Sequence, residues 1–224
     1  MRLAALFSGG KDSTYATYVM EQQGHSVPIL VSVLPDDPDS MVFHTPNLHL
    51  LPRMAEAMGR ELVTARSDGS EVDDLDALAK ALGPLDVEGV VTGAIASDYQ
   101  WDRINGVCEF LGLKVFSPLW RKDPEALMRD LISSGVRAVV VTVMAEGLGP
   151  EWLGRSLDAS AVEDLLELQR RTGVSPSGEG GEYESLVVDS PIHSRRLELV
   201  EAERSVSRDR ARLIVSKLEL REKP

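Results

Sequence analysis

The stretch LAALFSGGKDSTYATYVMEQQG, residues 3–24, decides the fold of this chain. It opens with a short apolar run that stops at Ser8 and continues through two adjacent glycines. Apolar residues then recur at helical spacing until Gly24. The pattern predicts a strand, a glycine-containing loop and a helix.

Strand and helix patterns alternate in the part of the chain that follows. Apolar, mostly β-branched runs typical of buried strands occupy residues 27–34, 61–65, 87–92 and 136–144. Helical patterns occupy residues 47–58, 72–82, 104–111 and 123–135. The alternation predicts an α/β fold in which an open parallel sheet carries helices on both faces, as in Rossmann-like proteins.

The regular alternation of strand and helix patterns ends after Ala145. An S-x-x-E capping box at residues 160–163 predicts the start of a helix, and residues 176–182 are too rich in glycine for a regular element. Short strands are predicted at residues 186–188, 197–200 and 213–215, with a hairpin turn at residues 205–209. We therefore expect one domain over residues 1–147 and a smaller α+β lobe over residues 148–224.

Composition excludes several classes of protein. The formal net charge of -12 disfavours nucleic acid as a partner, because the overall field repels polyanions. The single cysteine, Cys108, excludes an internal disulfide and a paired-thiol mechanism. No apolar stretch approaches the roughly 20 residues needed to span a bilayer, and no basic leader precedes the first strand. We expect a soluble, cytoplasmic protein with no membrane partner.

The loop after the first predicted strand has the chemistry of an anion site. It fits neither the Walker A pattern nor the dinucleotide G-x-G-x-x-G pattern. Its backbone amides, two hydroxyls, the helix N-terminus and one ammonium group nevertheless favour bound phosphate. The residues concerned are Ser8, Gly9, Gly10, Lys11, Asp12 and Ser13. Asp12 suits either a helix cap or a divalent cation that accompanies the phosphates.

This string resembles the SGGxDS loop of the N-type ATP pyrophosphatases, the PP-loop enzymes of the adenine nucleotide alpha hydrolase-like fold. Four further stretches resemble the diphthine–ammonia ligase family: residues 41–47, residues 93–100 with Arg103, residues 118–120, and EGGEYE at residues 179–184. The resemblance implies ATP-dependent amidation of diphthine, a modified histidine on translation elongation factor 2, through an acyl-adenylate. It further implies ATP, Mg²⁺ and ammonium as ligands, and release of AMP and pyrophosphate. The sequence leaves open whether the protein forms a homodimer.

The resemblance also implies roles for individual residues. The six loop residues 8–13, Gly93 and His44 are expected to bind the nucleotide, and Asp12 is expected to bind Mg²⁺. Substrate binding falls to Asp98, Tyr99, Gln100, Trp120, Glu179, Gly180, Gly181, Glu182 and Tyr183. Catalytic roles fall to Asp12, Arg103, Glu182 and Glu184.

The residues themselves leave alternatives open. Arg103 suits bidentate contact with phosphate or carboxylate, but it also suits the solvated side of a helix. The acidic turn suits a cationic ligand such as ammonium or a trimethylammonium group, but it also suits a flexible surface loop. Cys108 lacks the surroundings of a glutaminase nucleophile, so free ammonia is the expected nitrogen source. A tRNA-modifying PP-loop enzyme and a non-catalytic ATP-binding protein are the alternative functions.

Overall fold

The structure, a computed structural model, describes residues 1–36 and 47–223. Contacts divide the chain into two compact units. The first contains Met1–Ser8 and Asp12–Trp120, and the second contains Gly9–Lys11 and the chain from Arg121 onward. This division lies earlier than the boundary expected between residues 147 and 148. Among the described residues, no helix is both long and apolar enough to cross a membrane.

The first unit is built on a parallel five-stranded sheet of order β3-β2-β1-β4-β5. The strands are Arg2–Leu6 (β1), Ser26–Pro35 (β2), Glu61–Ser67 (β3), Gly89–Val91 (β4) and Lys114–Phe116 (β5). The predicted open parallel sheet is thereby confirmed. The strand β5 escaped prediction because it is only 3 residues long and none of its residues is buried.

Helices flank this sheet. They are Lys11–Gln22 (α1), Leu51–Met58 (α2), Glu71–Leu82 (α3) and Asp98–Phe110 (α4), with a short 3-10 helix at Leu48–Leu50. Buried apolar side chains of β1, β2, α3 and α4 share one core cluster, which includes Val31, Leu78 and Ile104. The predicted helical faces are therefore the faces that pack on the sheet.

The second unit has its own four-stranded antiparallel sheet, of order β7-β6-β9-β8. Its strands are Arg137–Val143 (β6), Tyr183–Asp189 (β7), Arg195–Val206 (β8) and Ala211–Glu222 (β9). Its helices are Pro124–Ser133 (α5) and Ala159–Thr172 (α6), with a 3-10 helix at Pro150–Trp152. The expectation that β6 would continue the parallel sheet is wrong, because an apolar run reports burial but not the direction of the neighbouring strand.

The start of α6 also differs from the prediction. The helix begins at Ala159, and its N-cap is Asp158, whose carboxylate accepts a hydrogen bond of 2.9 Å from the Ala161 amide. A carboxylate at this position also interacts favourably with the helix dipole. The capping box predicted at Ser160 therefore lies inside the helix.

Cys108 lies in the core of the first unit, fully buried on α4. Burial raises the pKa of its thiol to about 11 from an ordinary value of 9.0. We expect a thiol reagent at pH 8 to label the folded chain about 100-fold more slowly than the unfolded chain, because only the thiolate reacts. The folded chain holds the thiol proton up to a higher pH than the unfolded chain does. The free energy of unfolding should therefore fall as the pH rises from about 9 to 11. Labelling with and without guanidinium chloride checks the first point, and rapid labelling of the folded chain would contradict it.

Candidate functional site

The order of strands in the first unit creates a switch point between β1 and β4. From β1 the chain proceeds through β2 and β3 on one side, and it returns through β4 and β5 on the other. Because both strands are parallel, the loops that follow them leave the same carboxyl edge of the sheet. Ligands of open α/β sheets bind in the crevice at such a point.

The loop after β1 joins the strand to α1 through Ser8, Gly9 and Gly10. Gly9 has a φ of 78°, in the left-handed region that favours glycine. The Ser8 and Ser13 hydroxyls lie 3.1 Å apart, and the Ser8 amide donates to the Ser13 hydroxyl at 3.3 Å. The predicted strand, glycine loop and helix N-terminus are therefore in place, and the hydroxyls of the two serines lie side by side.

Gly93 follows β4 and packs against the start of α1. A Cβ atom at this position would lie 2.7 Å from the Ser13 nitrogen and 2.8 Å from the Asp12 carbonyl carbon. Both neighbours are backbone atoms, so neither can rotate away. The structure thus brings together two segments that the sequence assigned to nucleotide binding, the first turn of α1 and the loop after β4.

Lys11 makes its contacts within the second unit. Its backbone amide donates to the Ser185 hydroxyl at 3.1 Å, and its ammonium donates to the Ser177 carbonyl at 2.6 Å. The ammonium also lies 5.4 Å from the centre of the Tyr183 ring. Only 3% of the residue is exposed. The ammonium therefore contacts the glycine-rich turn, and a contact with phosphate stays a prediction.

The glycine-rich segment between α6 and β7 is a compact succession of turns. The Gly178 amide donates to the Ser175 carbonyl at 3.0 Å, and the Gly181 amide donates to the Gly178 carbonyl at 3.2 Å. The Tyr183 hydroxyl donates to the Pro176 carbonyl at 2.8 Å, and the ring is buried. Tyr183 therefore supports the turn from inside the unit. Because its ring is buried, it lacks the exposed surface that a substrate-binding ring needs.

Glu182 is fixed by one of its carboxylate oxygens. Its Oε1 accepts a hydrogen bond of 2.9 Å from the Ser175 amide. Its Oε2 is shielded from solvent and has no hydrogen-bond partner among the described residues. Glu184 follows on β7, opposite Thr142 of β6, and both Glu184 and Glu179 are half-buried. A shielded acceptor that lacks a donor suits a small cationic ligand with N–H groups.

Helix α4 begins at Asp98, which is exposed, and Ser97 caps it by accepting from the Gln100 amide at 3.3 Å. In the next turn the Arg103 Nε donates to Glu71 Oε1 at 2.8 Å. The guanidinium carbon lies 3.6 Å from the Tyr99 ring centre, and the Tyr99 hydroxyl donates to Glu71. Tyr99, followed by Arg103, holds the pKa of the Glu71 carboxyl below its usual value.

Glu71 is the residue of this cluster that the sequence did not reveal. It is the first residue of α3, where an acidic residue is ordinary because it complements the helix dipole. Its partners lie 28 and 32 residues further along the chain, so no local pattern links them. The pairing depends on the placement of α3 and α4 side by side.

The remaining predicted residues fall in different places. Trp120 stacks on Trp101, with ring centres 5.5 Å apart and an interplanar angle of 28°. Gly180 is exposed at the tip of the glycine-rich turn. His44 lies outside the described residues. The stack leaves Trp120 half-exposed, so contact with a substrate stays a prediction.

No cluster of three or more His, Cys, Asp or Glu side chains suited to a metal occurs within residues 1–36 and 47–223. A Mg²⁺ ion that arrives with nucleotide phosphates keeps several waters and takes only one or two protein carboxylates. Asp12 fits that role, since it is half-buried in the first turn of α1, beside the backbone that Gly93 approaches.

Known proteins resemble this chain over most of its length. Residues 1–115 match the sequence model of the diphthamide synthase N-terminal domain, and residues 123–220 match that of the C-terminal domain. The break between the two matches contains the division at Trp120. Proteins named diphthine–ammonia ligase from Mus musculus and Homo sapiens are each 38% identical over 220 residues, which is 88% of this chain and 82% of theirs.

A Schizosaccharomyces pombe protein of the same name is 36% identical over 223 residues, covering 91% of this chain and 37% of its own. A solved structure, a predicted subunit of tRNA methyltransferase from Methanocaldococcus jannaschii, has a TM-score of 0.47 at 16% identity. It covers 85% of this chain and 97% of its own, a likeness too weak to carry an argument. With both domains matched in order, and the mammalian relatives matched over most of their length, the chain belongs to the diphthamide synthase family.

Proposed function

We propose that this chain is an ATP-dependent diphthine–ammonia ligase. It converts the carboxylate of diphthine on translation elongation factor 2 to the amide, with ammonia as nitrogen donor and AMP and pyrophosphate as by-products. The observation that carries this proposal is the close approach of Gly93 to the first turn of α1 at the β1/β4 switch point. Relatives with the name diphthine–ammonia ligase support the choice of reaction.

The nucleotide phosphates are proposed to bind at the loop after β1. Backbone amides at the start of α1 and the hydroxyls of Ser8 and Ser13 donate hydrogen bonds to the β- and γ-phosphates, and the helix dipole favours their charge. Gly93 lets the neighbouring loop approach this backbone without a side chain in between. Asp12 would hold Mg²⁺, which supplies positive charge that offsets the charge on the phosphates.

The first step we propose is attack of a diphthine carboxylate oxygen on the α-phosphorus. The new bond joins that oxygen to phosphorus, while the bond to the bridging oxygen breaks and pyrophosphate leaves. Arg103 is proposed to neutralise the negative charge that gathers around the α-phosphate, since a guanidinium donates several hydrogen bonds in fixed geometry. In the second step ammonia attacks the acyl carbon, AMP leaves, and one proton is released.

Glu182 is proposed to bind ammonium and to accept the proton that ammonium must lose before its nitrogen attacks. Its Oε1 is held by the Ser175 amide, while its shielded Oε2 has an unused acceptor site among the described residues. Ammonium has no lone pair, so a base must remove a proton before nitrogen can attack. Glu179 and Glu184 are proposed to add negative charge that attracts ammonium or the trimethylammonium group of diphthine.

The protein substrate is proposed to contact Asp98, Tyr99, Gln100, Trp120, Gly180 and Gly181, whereas Tyr183 supports the turn that carries the two glycines. The net charge of -12 supports our proposal that nucleic acid is not a partner. Action in the cytoplasm would follow from the elongation factor as substrate, and a homodimer stays a hypothesis.

The test is to incubate the purified chain with ATP, Mg²⁺, elongation factor 2 carrying diphthine, and ammonium. We expect sustained formation of AMP, pyrophosphate and the amide only when both the factor and ammonium are present. Chromatography of nucleotides and mass spectrometry of the modified peptide give the two readouts. Formation of ADP, or the same AMP yield without the factor, would contradict the proposal.

A further inference from the structure

A cluster of Glu71, Tyr99 and Arg103 joins the first turn of α3 to the first two turns of α4. The Arg103 Nε donates to Glu71 at 2.8 Å, and the Tyr99 hydroxyl donates to the same carboxylate. The Tyr99 ring lies under the guanidinium at 3.6 Å. The carboxylate therefore accepts hydrogen bonds from the arginine and from the hydroxyl of the tyrosine whose ring stacks on that arginine.

These contacts restrict the guanidinium in two independent ways. The stacked ring fixes the plane of the group, and the bond from Nε to Glu71 fixes its rotation within that plane. Among the residues that the structure describes, the Nη1 atom contacts only the Tyr99 carbonyl, at 3.5 Å, at the limit of a hydrogen bond. The Nη edge of the fork is thus left to take an anionic group in bidentate fashion.

The position of the cluster matters as much as its geometry. Glu71 opens the helix that follows β3, and Tyr99 is the second residue of the helix that follows β4. Both helix N-termini lie at the carboxyl edge of the parallel sheet, the edge that also carries the loop after β1. The Arg103 side chain is 30% exposed, so the guanidinium is accessible from solvent.

A purely stabilising ion pair is the simpler explanation, and its expected effect is small. Exposed ion pairs contribute little to the free energy of unfolding because water screens their charges. Helix α3 already has another such pair, between Asp76 and Lys80. A contribution to stability does not explain why the Glu71 carboxylate accepts from both Arg103 and the hydroxyl of Tyr99, whose ring stacks on that arginine. Fixed orientation of the arginine explains this arrangement.

We propose that Glu71 is a positioning residue, whose carboxylate orients the Arg103 guanidinium for the anionic group of a substrate at the carboxyl edge of the sheet. The proposal rests on the role of Arg103 in the proposed ligase reaction. Glu71 acts only through Arg103 and does not itself contact the reacting atoms. Its loss should therefore lower the rate of adenylation with only a small change in the stability of the fold.

The kinetic test is a double-mutant cycle on AMP formation. We expect Glu71→Ala to lower kcat about tenfold with KM for ATP within about twofold, and Arg103→Ala to lower kcat about 100-fold. Because Glu71 acts through Arg103, the double variant should match Arg103→Ala alone. The matched control is Asp76→Asn, which removes an exposed ion pair from the same helix and should keep the wild-type rate.

A second readout needs no turnover. The Arg103 Nε–H group should give a nuclear magnetic resonance signal protected from solvent exchange in the wild-type chain, assigned by its loss in Arg103→Lys. Glu71→Ala should remove that protection while the melting temperature falls by no more than about 4 °C. Failure of the wild-type chain to form AMP would count against the proposed ligase function alone, since this signal still reports whether Glu71 holds Arg103.

Three results would overturn the inference. One is an unchanged Nε–H signal in Glu71→Ala. Another is an additional loss of rate when Glu71→Ala is combined with Arg103→Ala. The third is that Arg103→Ala forms AMP at the wild-type rate, in an assay in which the wild-type chain is active.

Discussion

Replacement of Gly93 by alanine is expected to lower the rate of ATP cleavage by about 100-fold or more, because displacement of reacting groups by about 1 Å has effects of this size. The added Cβ would lie 2.7 Å from the Ser13 nitrogen and 2.8 Å from the Asp12 carbonyl carbon. Both atoms belong to the first turn of α1, so the loop after β4 must move away from the proposed phosphate site. Pyrophosphate release in the presence of elongation factor and ammonium measures the effect.

Gly106→Ala is the matched control for Gly93→Ala. Gly106 lies on α4 in the same unit, and a Cβ there would meet no described atom within 4 Å outside the backbone of its own helix. Alanine is favoured over glycine inside a helix by about 0.5–1 kcal/mol, so this variant should be active and slightly more stable. Normal ATP cleavage by Gly93→Ala would show that the close approach of the two loops is not needed for the reaction.

Replacement of Glu182 by glutamine is expected to separate the two steps of the reaction. Glutamine has nearly the same shape and can still accept from the Ser175 amide, but it neither carries a negative charge nor takes up a proton. Amide formation should fall about 100-fold or more, the usual range for loss of a general base. Pyrophosphate release in the first turnover should stay within about threefold of wild type, since adenylation does not use this carboxylate.

A single-turnover experiment with quenched samples measures pyrophosphate and amide in parallel for Glu182→Gln. A higher pH should partly restore amide formation, because it raises the fraction of neutral ammonia and makes the base less necessary. Glu167→Gln is the control, since Glu167 forms an exposed ion pair with Arg170 on α6 of the same unit. Equal loss of pyrophosphate and amide in Glu182→Gln would place this residue in adenylation and contradict the role that we propose.

Much of the fold follows from the sequence because burial leaves a local pattern. The strands β1 and β2 are apolar on both faces, as central strands of a parallel sheet must be, and their runs are visible in the sequence. The direction in which a strand pairs leaves no such pattern. The apolar run of β6 therefore predicted a strand correctly and its sheet wrongly, and the antiparallel partner, β7, comes only after α6.

The residues of the candidate site show the same difference between local sequence patterns and contacts of distant segments. The loop after β1 and Gly93 could be predicted because glycine, serine and aspartate at fixed spacing carry their own chemical meaning. Lys11 could not be placed, since its charge indicated an anion while its ammonium is buried against the Ser177 carbonyl. Glu71 could not be found at all, because its importance depends on contacts with residues of another helix.

The bond from the Val187 amide to the Gly9 carbonyl, 3.0 Å long, has a consequence for synthesis on the ribosome. A chain leaves the ribosome in sequence order, so β1 must wait for β4 before it can pair on its second side. Gly9 must wait far longer, until Val187 has emerged. The loop that we propose to bind nucleotide is thus translated early and completed late. Nascent chains that end before Val187 should therefore bind immobilised ATP more weakly than the finished protein.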